Sequence, residues 1–270
     1  MELATQALSR PRDAFYWRLL ATALSFLLFG AGSLCLRVLV FPLLACLPGD
    51  GVRHRQRARH TISWLFWRFI RFMYCSGVLT YEVQGAERLG RPGQMIVANH
   101  PSLIDVVFLI GLVRQANCVV KQTLFHNPFT RGPVRSAQYI SNDGSMAMLD
   151  TAAQALQAGQ TLVIFPEGTR TVPGQPLAFH RGAAAIALRG AKIITPVTIK
   201  VSPTTLTKAE PWYRIPRCRV HFDLRIGEDI DPQAFATQGP PPQASRKLND
   251  YLHQYFTKEL ATDERSTART

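Results

Sequence analysis

The sequence has 270 residues, of which 47% are hydrophobic, and a formal net charge of +13. The hydrophobic fraction supports a folded core and excludes a globally disordered chain, while the length suits one large α/β domain with an appendage. The excess of positive charge predicts an anionic partner, which is a nucleic acid, an anionic lipid or a phosphorylated substrate.

The first 75 residues combine much of this charge with the most apolar part of the chain. They hold ten Arg against three acidic residues, interspersed with long apolar and aromatic runs. Basic charge among apolar runs suits a phospholipid surface better than a nucleic-acid groove. The chain has no zinc-finger spacing and no RNA-binding aromatic signature. An anionic membrane surface is therefore the predicted partner, and nucleic acid is not.

An apolar segment lies near the start of the chain. Residues Leu19–Leu36 are 18 consecutive uncharged residues, and a second apolar run, Val38–Leu47, follows Arg37. Eighteen residues are about the lower limit for a helix that crosses a bilayer. A spanning helix, a hairpin embedded in one leaflet and a cleaved signal peptide all fit this pattern, and Pro42 weighs against one straight span.

An aromatic and basic stretch comes next. A basic run at 53–60 precedes residues 63–72, which include Trp64 and Trp67 and show helical amphipathicity. Trp beside Arg is typical of the headgroup level of a bilayer, so we predict an interfacial helix, with a helix packed on the domain as the alternative. We assign 1–76 to membrane-inserting and interfacial helices. Since three Arg precede the apolar segment and four follow at 53–59, the positive-inside rule places the remaining chain on the cytoplasmic face.

From about residue 78, strand-like and helix-like runs alternate, which predicts an α/β fold with a largely parallel central sheet flanked by helices. The predicted strands are Leu79–Val83, Met95–Ala98, Cys118–Lys121, Gln138–Ser141, Thr161–Phe165, Ile193–Val201 and Arg219–Ile226. The predicted helices are Ser102–Val113, Gly144–Ala158 (with Asp143 as N-cap), Gly182–Arg189 and Ser245–Leu260. The α/β domain is assigned to residues 77–232. Residues 233–270 are assigned to a Pro-rich linker, a C-terminal helix and a disordered tail after Thr262.

Five cysteines form an odd set without the spacing of a metal site. Most lie inside apolar runs, where cysteine behaves as a small buried hydrophobe. This predicts free thiols in a reducing compartment and no metal site. The residues are Cys35, Cys46, Cys75, Cys118 and Cys218.

A polar segment, residues 99–105, follows directly after the strand Met95–Ala98. If a helix starts near Ser102, Asp105 lies one turn into it and can reach back to His100. A carboxylate bonded to one imidazole nitrogen fixes the tautomer and stabilises the imidazolium, which makes His100 a general base for a hydroxyl. The Ser102-x-x-Asp105 spacing also matches a helix-capping box. Spacing alone therefore leaves both interpretations open.

A second polar segment, Phe165–Arg170, follows another strand. Its Gly168 permits a tight backbone turn, and the guanidinium of Arg170 has the donor geometry that suits a phosphate. A simple turn with a local pair between Glu167 and Arg170 is the alternative. Ligands in open α/β sheets bind where the strands end, so both polar segments are predicted to face one cleft.

Together the two segments resemble blocks of the lysophospholipid acyltransferase family, whose best-known members are the 1-acylglycerol-3-phosphate acyltransferases. The family's Asn-His-x-x-x-x-Asp block is met by Asn99, His100 and Asp105, and its Phe-Pro-Glu-Gly-Thr-Arg block by Phe165–Arg170. The resemblance covers roughly residues 78–200. Similar later blocks are 179–183, where His180 replaces the usual Lys, and the apolar run 193–197 with its inner Pro.

The resemblance implies transfer of a fatty acyl chain from acyl-CoA or acyl carrier protein directly to the hydroxyl of a lyso-lipid, without an acyl-enzyme, a metal or an organic cofactor. It implies that His100 is the general base and that Asp105 orients it. The residues implied to bind the acceptor are Glu167, Gly168, Thr169 and Arg170, with Lys121 and Arg181 as further candidates. A nucleophilic lipase would need a Gly-x-Ser-x-Gly motif, which the chain lacks.

One block departs from the family pattern. The family's Ile-x-Arg, whose Arg helps to hold the phosphate of the acceptor, is replaced here by Ile140-Ser141-Asn142. A neutral amide cannot pair with phosphate as a guanidinium does. We therefore expect lysophosphatidic acid to be a poorer acceptor than at least one other lyso-lipid. A specialised acceptor other than a phosphatidate precursor and a non-enzymatic, membrane-anchored lipid-binding protein remain as alternatives.

Overall fold

The computed structural model of the chain describes residues 14–208 and 210–267. The helices are α1 (Phe15–Cys35), α2 (Phe41–Cys46), α3 (Gly51–Cys75), α4 (Asp105–Leu112), α5 (Arg131–Ser136), α6 (Met146–Gln157), α7 (Gly182–Gly190), α8 (Gln233–Ala236) and α9 (Pro241–Thr267). The strands are β1 (Leu79–Gln84), β2 (Gln94–Ala98), β3 (Asn117–Lys121), β4 (Ile140–Asn142), β5 (Leu162–Ile164), β6 (Ile193–Ser202) and β7 (Val220–Ile226). A π-helical turn, Leu36–Val40, joins α1 to α2.

The strands form one sheet in the order β1-β7-β6-β2-β5-β3-β4. Every neighbouring pair is parallel except β6 and β7, which confirms the predicted largely parallel α/β sheet. Strand β2 lies at the centre and is buried along its whole length, as expected for a strand covered on both faces. The carboxyl ends of β2 and its neighbour β5 therefore lie side by side at one edge of the sheet.

Helices cover both faces of the sheet and create two apolar cores. On one face α3 and α4 pack together, and the core there includes Ile62, Phe108 and Phe222. On the other face α6, α7 and α9 form the layer, and the core includes Leu156 and Phe256. Residues 99–104 connect β2 to α4, and residues 165–181 connect β5 to α7.

Several element ends differ from the predicted ones. Helix α4 begins at Asp105 and not near Ser102, because the intervening residues form a turn. The N-cap of α6 is Ser145, whose Oγ accepts a hydrogen bond from the Met148 backbone N at 3.1 Å. Asp143, the predicted cap, instead accepts from the Ser145 backbone N at 2.9 Å.

The C-terminal part of the chain is more helical than predicted. The segment 233–243, predicted as a linker, contains α8 and the first residues of α9. Helix α9 continues to Thr267, beyond the predicted end at Leu260. Residues 268–270 of the predicted disordered tail lie outside the described residues.

The burial of the cysteines was predicted wrongly. Cys118 in β3 is buried, but the other four cysteines are exposed: Cys35, Cys46, Cys75 and Cys218. An apolar run does not imply burial here, because the N-terminal helices expose one apolar face. All five thiols are free, as predicted.

The N-terminal helices form a continuous rod that lies along the α/β domain. Among the described residues, Phe15–Cys46 is the one helix of a length and composition that can cross a membrane. Near its start, Arg18 donates to the backbone carbonyls of residues 216–218. Further along, Arg37 Nη1 donates to the Pro128 carbonyl at 2.8 Å. At a rise of about 1.5 Å per residue, these two attachments are roughly 28 Å apart along the helix axis.

Helix α3 is packed on the domain along one side. Ile62 and Ile70 are fully buried, and Gly111 of α4 allows a close helix crossing because a Cβ there would lie 3.2 Å from the Trp67 backbone N. On the outer side, Trp64 is exposed and lies under the guanidinium of Arg68 at 5.1 Å. The helix thus has a packed side and an exposed aromatic and basic side.

Candidate active site

His100 and Asp105 form a hydrogen-bonded pair where β2 ends. His100 Nδ1 donates to Asp105 Oδ2 at 2.9 Å, and the same carboxylate oxygen accepts from the Ser102 backbone N at 2.7 Å. Asp105 therefore holds the turn before α4 and also contacts the imidazole, but the capping box is not formed, because α4 begins at Asp105 and Ser102 Oγ has no hydrogen-bond partner among the described residues. Because Nδ1 is engaged by the carboxylate, Nε2 is the ring nitrogen that can take a proton.

The carboxylate of Asp105 lies in a fully buried position. Burial raises its pKa from 3.8 to about 6, against the opposing effect of the hydrogen bond from His100. Its second oxygen, Oδ1, is buried and has no hydrogen-bond partner among the described residues. A carboxylate kept in such a costly position stabilises positive charge on the neighbouring imidazole strongly, because little water screens the interaction.

Glu167 connects the end of β5 to His100. The register of β2 and β5 pairs Val97 with Ile164, so His100 and Glu167 lie equally far beyond their strands. Glu167 Oε1 accepts from the His100 backbone N at 2.8 Å. Thr171 Oγ1 donates to both carboxylate oxygens, and the Thr171 backbone N donates to the His100 carbonyl at 2.7 Å. These bonds fix the backbone of His100 from the neighbouring strand.

The environment of Glu167 matches this positioning role. The residue is buried, and burial raises the pKa of its carboxyl group while the bonds from His100 and Thr171 oppose that shift. Phe165, two residues earlier, stacks on the imidazole of His100 with ring centroids 4.2 Å apart. The imidazole is therefore held by a ring on one face, a carboxylate at Nδ1 and two backbone bonds.

Gly168 and Arg170 shape the turn after Glu167. Gly168 adopts a left-handed conformation with φ +64°, and a Cβ there would lie 3.3 Å from a ring atom of His180. The left-handed backbone and the close imidazole both favour glycine at this position. Arg170 Nη1 donates to the carbonyls of Leu206 and Thr207 at 2.7 and 2.9 Å. Arg170, which was predicted to bind phosphate, thus holds the segment that follows β6. Thr169, between Gly168 and Arg170, is partly exposed.

The remaining predicted binding residues lie along the same edge of the sheet. Lys121 ends β3, and the register of β3 with β5 places it level with Pro166. In the edge strand β4, Asn142 pairs directly with Lys121. Arg181 is the exposed N-cap of α7, which begins after the turn from β5. The sheet therefore brings His100, the 165–170 turn and Lys121 to one edge, where the two motifs were expected to meet.

The structural roles of Asn99 and Thr171 were not predicted from the sequence. The amide of Asn99 is buried and bonds both ways to β6, donating to the Ile199 carbonyl at 2.8 Å and accepting from the Ile199 backbone N at 2.7 Å. Asn99 thereby extends the pairing of β2 with β6 by one residue, and the chain leaves the sheet at His100. Thr171, which binds Glu167, follows the second motif directly. The position of Thr171 directly after the second motif is the sequence feature that could have indicated its role.

Residues 80–200 match the family model described as Acyltransferase. A 1-acyl-sn-glycerol-3-phosphate acyltransferase of Pseudomonas aeruginosa is 29% identical over 247 residues, which are 89% of this chain and 90% of that protein. The human 1-acyl-sn-glycerol-3-phosphate acyltransferase beta is 30% identical over 179 residues, which are 61% of this chain and 60% of that protein. Over residues 80–200 the chain is therefore similar to this acyltransferase family.

A solved structure has a similar fold. The fold of this acyltransferase is similar to that of the 1-acyl-sn-glycerophosphate (LPA) acyltransferase PlsC of Thermotoga maritima, with a TM-score of 0.68 and 21% sequence identity. The match covers 90% of this chain and 96% of the other. The resemblance found in the sequence is confirmed, and the protein is an O-acyltransferase of lipid metabolism.

Proposed function

We propose that this acyltransferase moves a fatty acyl chain from a thioester carrier to the free hydroxyl of a lyso-lipid, with His100 as general base and Asp105 as its orienting partner. The hydrogen bond between His100 Nδ1 and Asp105 Oδ2 carries the proposal. It leaves Nε2 to accept the proton of the hydroxyl and places a buried negative charge beside the imidazolium that forms.

The proposed reaction is a direct transfer. The hydroxyl gives its proton to His100 Nε2 while its oxygen attacks the thioester carbonyl carbon. The tetrahedral adduct then collapses, the carbon–sulfur bond breaks, and the thiolate takes the proton from the imidazolium. A thiol with a free pKa of about 8.5 leaves readily, so His100 alone meets the need for acid and base.

An apolar cavity beside the pair supports a fatty acyl substrate. The cavity has a volume of about 220 Å³, and its wall combines residues of α1 and α3 with residues of α4 and α5. Leu103 and Ile104, which directly precede Asp105, contribute to its wall. Val107 and Ile110 of α4 continue the same wall, so the cavity follows α4 away from the imidazole. We assign it to the acyl chain of the donor.

For the acceptor we propose a lyso-phospholipid. The relatives from Pseudomonas aeruginosa and human are named for 1-acyl-sn-glycerol-3-phosphate, which makes lysophosphatidic acid the reference acceptor. Lys121 at the sheet edge offers a charge for an anionic headgroup. Its neighbour Asn142 offers a neutral amide, so we retain the expectation that another lyso-lipid is used better. The net charge of +13 attracts acyl-CoA and acyl carrier protein alike.

We further propose that α1 and α2 attach the enzyme to the cytoplasmic face of a membrane without crossing it. The attachment of Arg18 and of Arg37 to the domain, at well-separated points, supports a rod that lies flat. Its outer face presents large apolar side chains, among them Leu20, Leu27 and Leu28. A flat rod with one apolar face suits insertion into a single leaflet.

The test is an acyl-transfer assay with the purified full-length protein, acyl-CoA or acyl carrier protein as donor, and a panel of lyso-lipids. Mass spectrometry should detect a diacyl product with at least one lyso-lipid. Release of free fatty acid without transfer to any lyso-lipid would contradict the proposed function. A ranking with lysophosphatidic acid first would contradict only the expectation drawn from Asn142.

A further inference from the structure

The loop between β6 and β7 has an exposed aromatic pair at its centre. Trp212 is 41% exposed and Tyr213 is 61% exposed. Exposed basic side chains on the same loop are Lys208, Arg214, Arg217 and Arg219. Glu210 is the acidic residue of the segment 203–219, and its carboxylate accepts a hydrogen bond from Thr207 Oγ1 at 2.7 Å. The outer surface of the loop is therefore aromatic and cationic.

The loop is fastened to the N-terminal rod. The buried side chain of Arg18 donates to three consecutive carbonyls of residues 216–218 at 2.6 to 3.0 Å. Trp212 packs against Phe26 of α1 with ring centroids 5.6 Å apart. Phe26 lies at the margin of the buried face of α1, next to the exposed Leu27. The aromatic pair thus continues the exposed apolar face of α1.

The same loop is also fastened to the active site. The Leu206 carbonyl accepts from the Leu103 backbone N at 3.2 Å and from Arg170 Nη1 at 2.7 Å. Leu206 is buried and adopts φ +52°, a left-handed conformation that costs a branched residue on the order of 1–2 kcal/mol. The two hydrogen bonds and the burial hold it there. The loop therefore bridges the motif of His100, the motif of Arg170 and α1.

From this arrangement we infer that the 203–219 loop is a second membrane-contacting element, which seats Trp212 and Tyr213 at the headgroup level of a leaflet that contains anionic phospholipid. Amphipathic aromatic rings favour that level, and Arg and Lys beside them pair with lipid phosphates. Its attachments to Leu103 and Arg170 would fix the height of the active-site edge above the lipid surface. The inference rests on the proposed membrane attachment through α1.

A protein partner fits the loop less well. Its exposed charges are all cationic, and its aromatic pair is continuous with an apolar helix face. A leaflet that contains anionic phospholipid offers an apolar interior for the aromatic pair and α1, and negative charge for the basic side chains of the loop. An anionic leaflet is therefore the partner that this surface fits.

The experiment places a fluorescent probe on the loop of the full-length enzyme. The four exposed cysteines are replaced by Ser, and the environment-sensitive probe NBD is attached at Tyr213→Cys or, as the matched control, at Tyr251→Cys. Tyr251 lies on α9 and is 43% exposed. Each protein is bound to vesicles of phosphatidylcholine and phosphatidylglycerol with nitroxide-labelled lipid.

Quenching at position 213 with little quenching at position 251 is the expected result. Equal and low quenching at both positions, on protein that floats with the vesicles, would overturn the inference and leave attachment through α1 intact. Protein that does not float with the vesicles would overturn both the attachment and the inference.

A kinetic comparison gives a second readout. We expect Tyr213→Asp to lower the rate of transfer to a vesicle-bound acceptor about tenfold, because a carboxylate is repelled from the anionic surface, and to change the rate with a micellar acceptor less than about twofold. Tyr251→Asp should leave both rates unchanged. Equal loss of both rates in Tyr213→Asp would show a role in folding and overturn the inference.

Discussion

Asp105 serves the fold and, in the proposed mechanism, the reaction as well. Its carboxylate holds the turn before α4 through the Ser102 backbone N and orients His100 through Nδ1. Burial raises its pKa to about 6, so its ionised form at neutral pH lowers the stability of the folded chain. In the proposed mechanism this charge has a use, because it stabilises the imidazolium.

Replacement of this carboxylate by a neutral amide should therefore separate activity from stability. In Asp105→Asn the amide oxygen can still accept from Ser102 and His100, so we expect an unchanged or higher melting temperature at pH 7. The rate should fall by about 10²–10⁴-fold, the usual range for lost acid–base catalysis. Asp150→Asn, at an exposed carboxylate on α6, is the matched control for both measurements. A loss of stability with full activity would contradict the assignment.

The pKa of Asp105 also predicts opposite trends of activity and stability with pH. The pKa rises from 3.8 in the unfolded chain to about 6 in the folded protein. The folded state therefore binds the proton more tightly, and the stability that this proton contributes is fully present below about pH 3.8 and is lost as the pH rises through 6.

Activity should change in the other direction, because the proposed mechanism needs an ionised Asp105. We expect kcat/KM to fall as the pH is lowered from 7 through 6. Rates measured between pH 5 and pH 8, with melting curves over the same range, test this. A rate that stays constant down to pH 5 would contradict the role of the pair.

At the scale of secondary structure, the site depends on bonds between neighbouring strand ends. Glu167 and Thr171, beyond β5, fix the backbone of His100, beyond β2. In Thr171→Val the Glu167 carboxylate loses its hydroxyl donor, and a buried unsatisfied oxygen costs about 1–3 kcal/mol. We expect a loss of stability of that size, measured by chemical denaturation, together with a lower kcat.

The control for this change is Thr151→Val on α6. The Thr151 hydroxyl bonds within its own helix, to the Ala147 carbonyl, and the residue is exposed. Surface changes of this kind usually alter stability by less than about 0.5 kcal/mol. If Thr171→Val changed stability and kcat as little as Thr151→Val does, the proposed role of the bonds between the strand ends would be contradicted.

The strands were predictable because a buried parallel sheet leaves a plain pattern of short apolar runs between helices. The two motifs were predictable as neighbours for the same reason, since polar residues directly after β2 and β5 must share an edge. The start of α4 was not predictable, because the carboxylate of Asp105 bonds the Ser102 backbone in a turn and not in a helix. The bonds of Asn99 to β6 and of Arg170 to the carbonyls of Leu206 and Thr207 join distant parts of the chain and have no local signal.

The path of the N-terminal helices was equally hidden in the sequence. An apolar run of this length fits a spanning helix, a hairpin or a signal peptide. The decisive contacts, from Arg18 to residues 216–218 and from Arg37 to Pro128, join parts of the chain that are far apart in sequence. Periodicity describes the faces of a helix and not what each face meets.

At the scale of the whole molecule, the two assigned segments 1–76 and 77–232 build one cavity. Its wall combines residues of α1 and α3 with residues of α4 and α5, among them Phe29, Phe66, Ile110 and Val134. The N-terminal helices are therefore part of the proposed acyl site as well as the proposed attachment to lipid. Removal of these helices would open the cavity to solvent.

This arrangement predicts how chain-length selectivity can be changed. Ile110 lines the cavity six residues, or about 1.7 helical turns, beyond Ile104, the N-cap of α4. We expect Ile110→Phe to lower kcat/KM for a long-chain donor about tenfold and to change it less than about twofold for a short-chain donor. Ile110→Ala should favour longer chains. Donor profiles that are the same in both variants would contradict the assignment of the cavity.

The most direct test of the mechanism is the rate of acyl transfer by His100→Gln compared with the unchanged enzyme, at pH 7.5 on vesicles that bind both proteins equally. Glutamine keeps a hydrogen-bonding side chain near Asp105 but cannot accept a proton from a hydroxyl. If His100 is the general base, transfer should fall by about 10²-fold or more while the melting temperature stays within a few degrees. Transfer at the unchanged rate by a folded, vesicle-bound His100→Gln protein would contradict it.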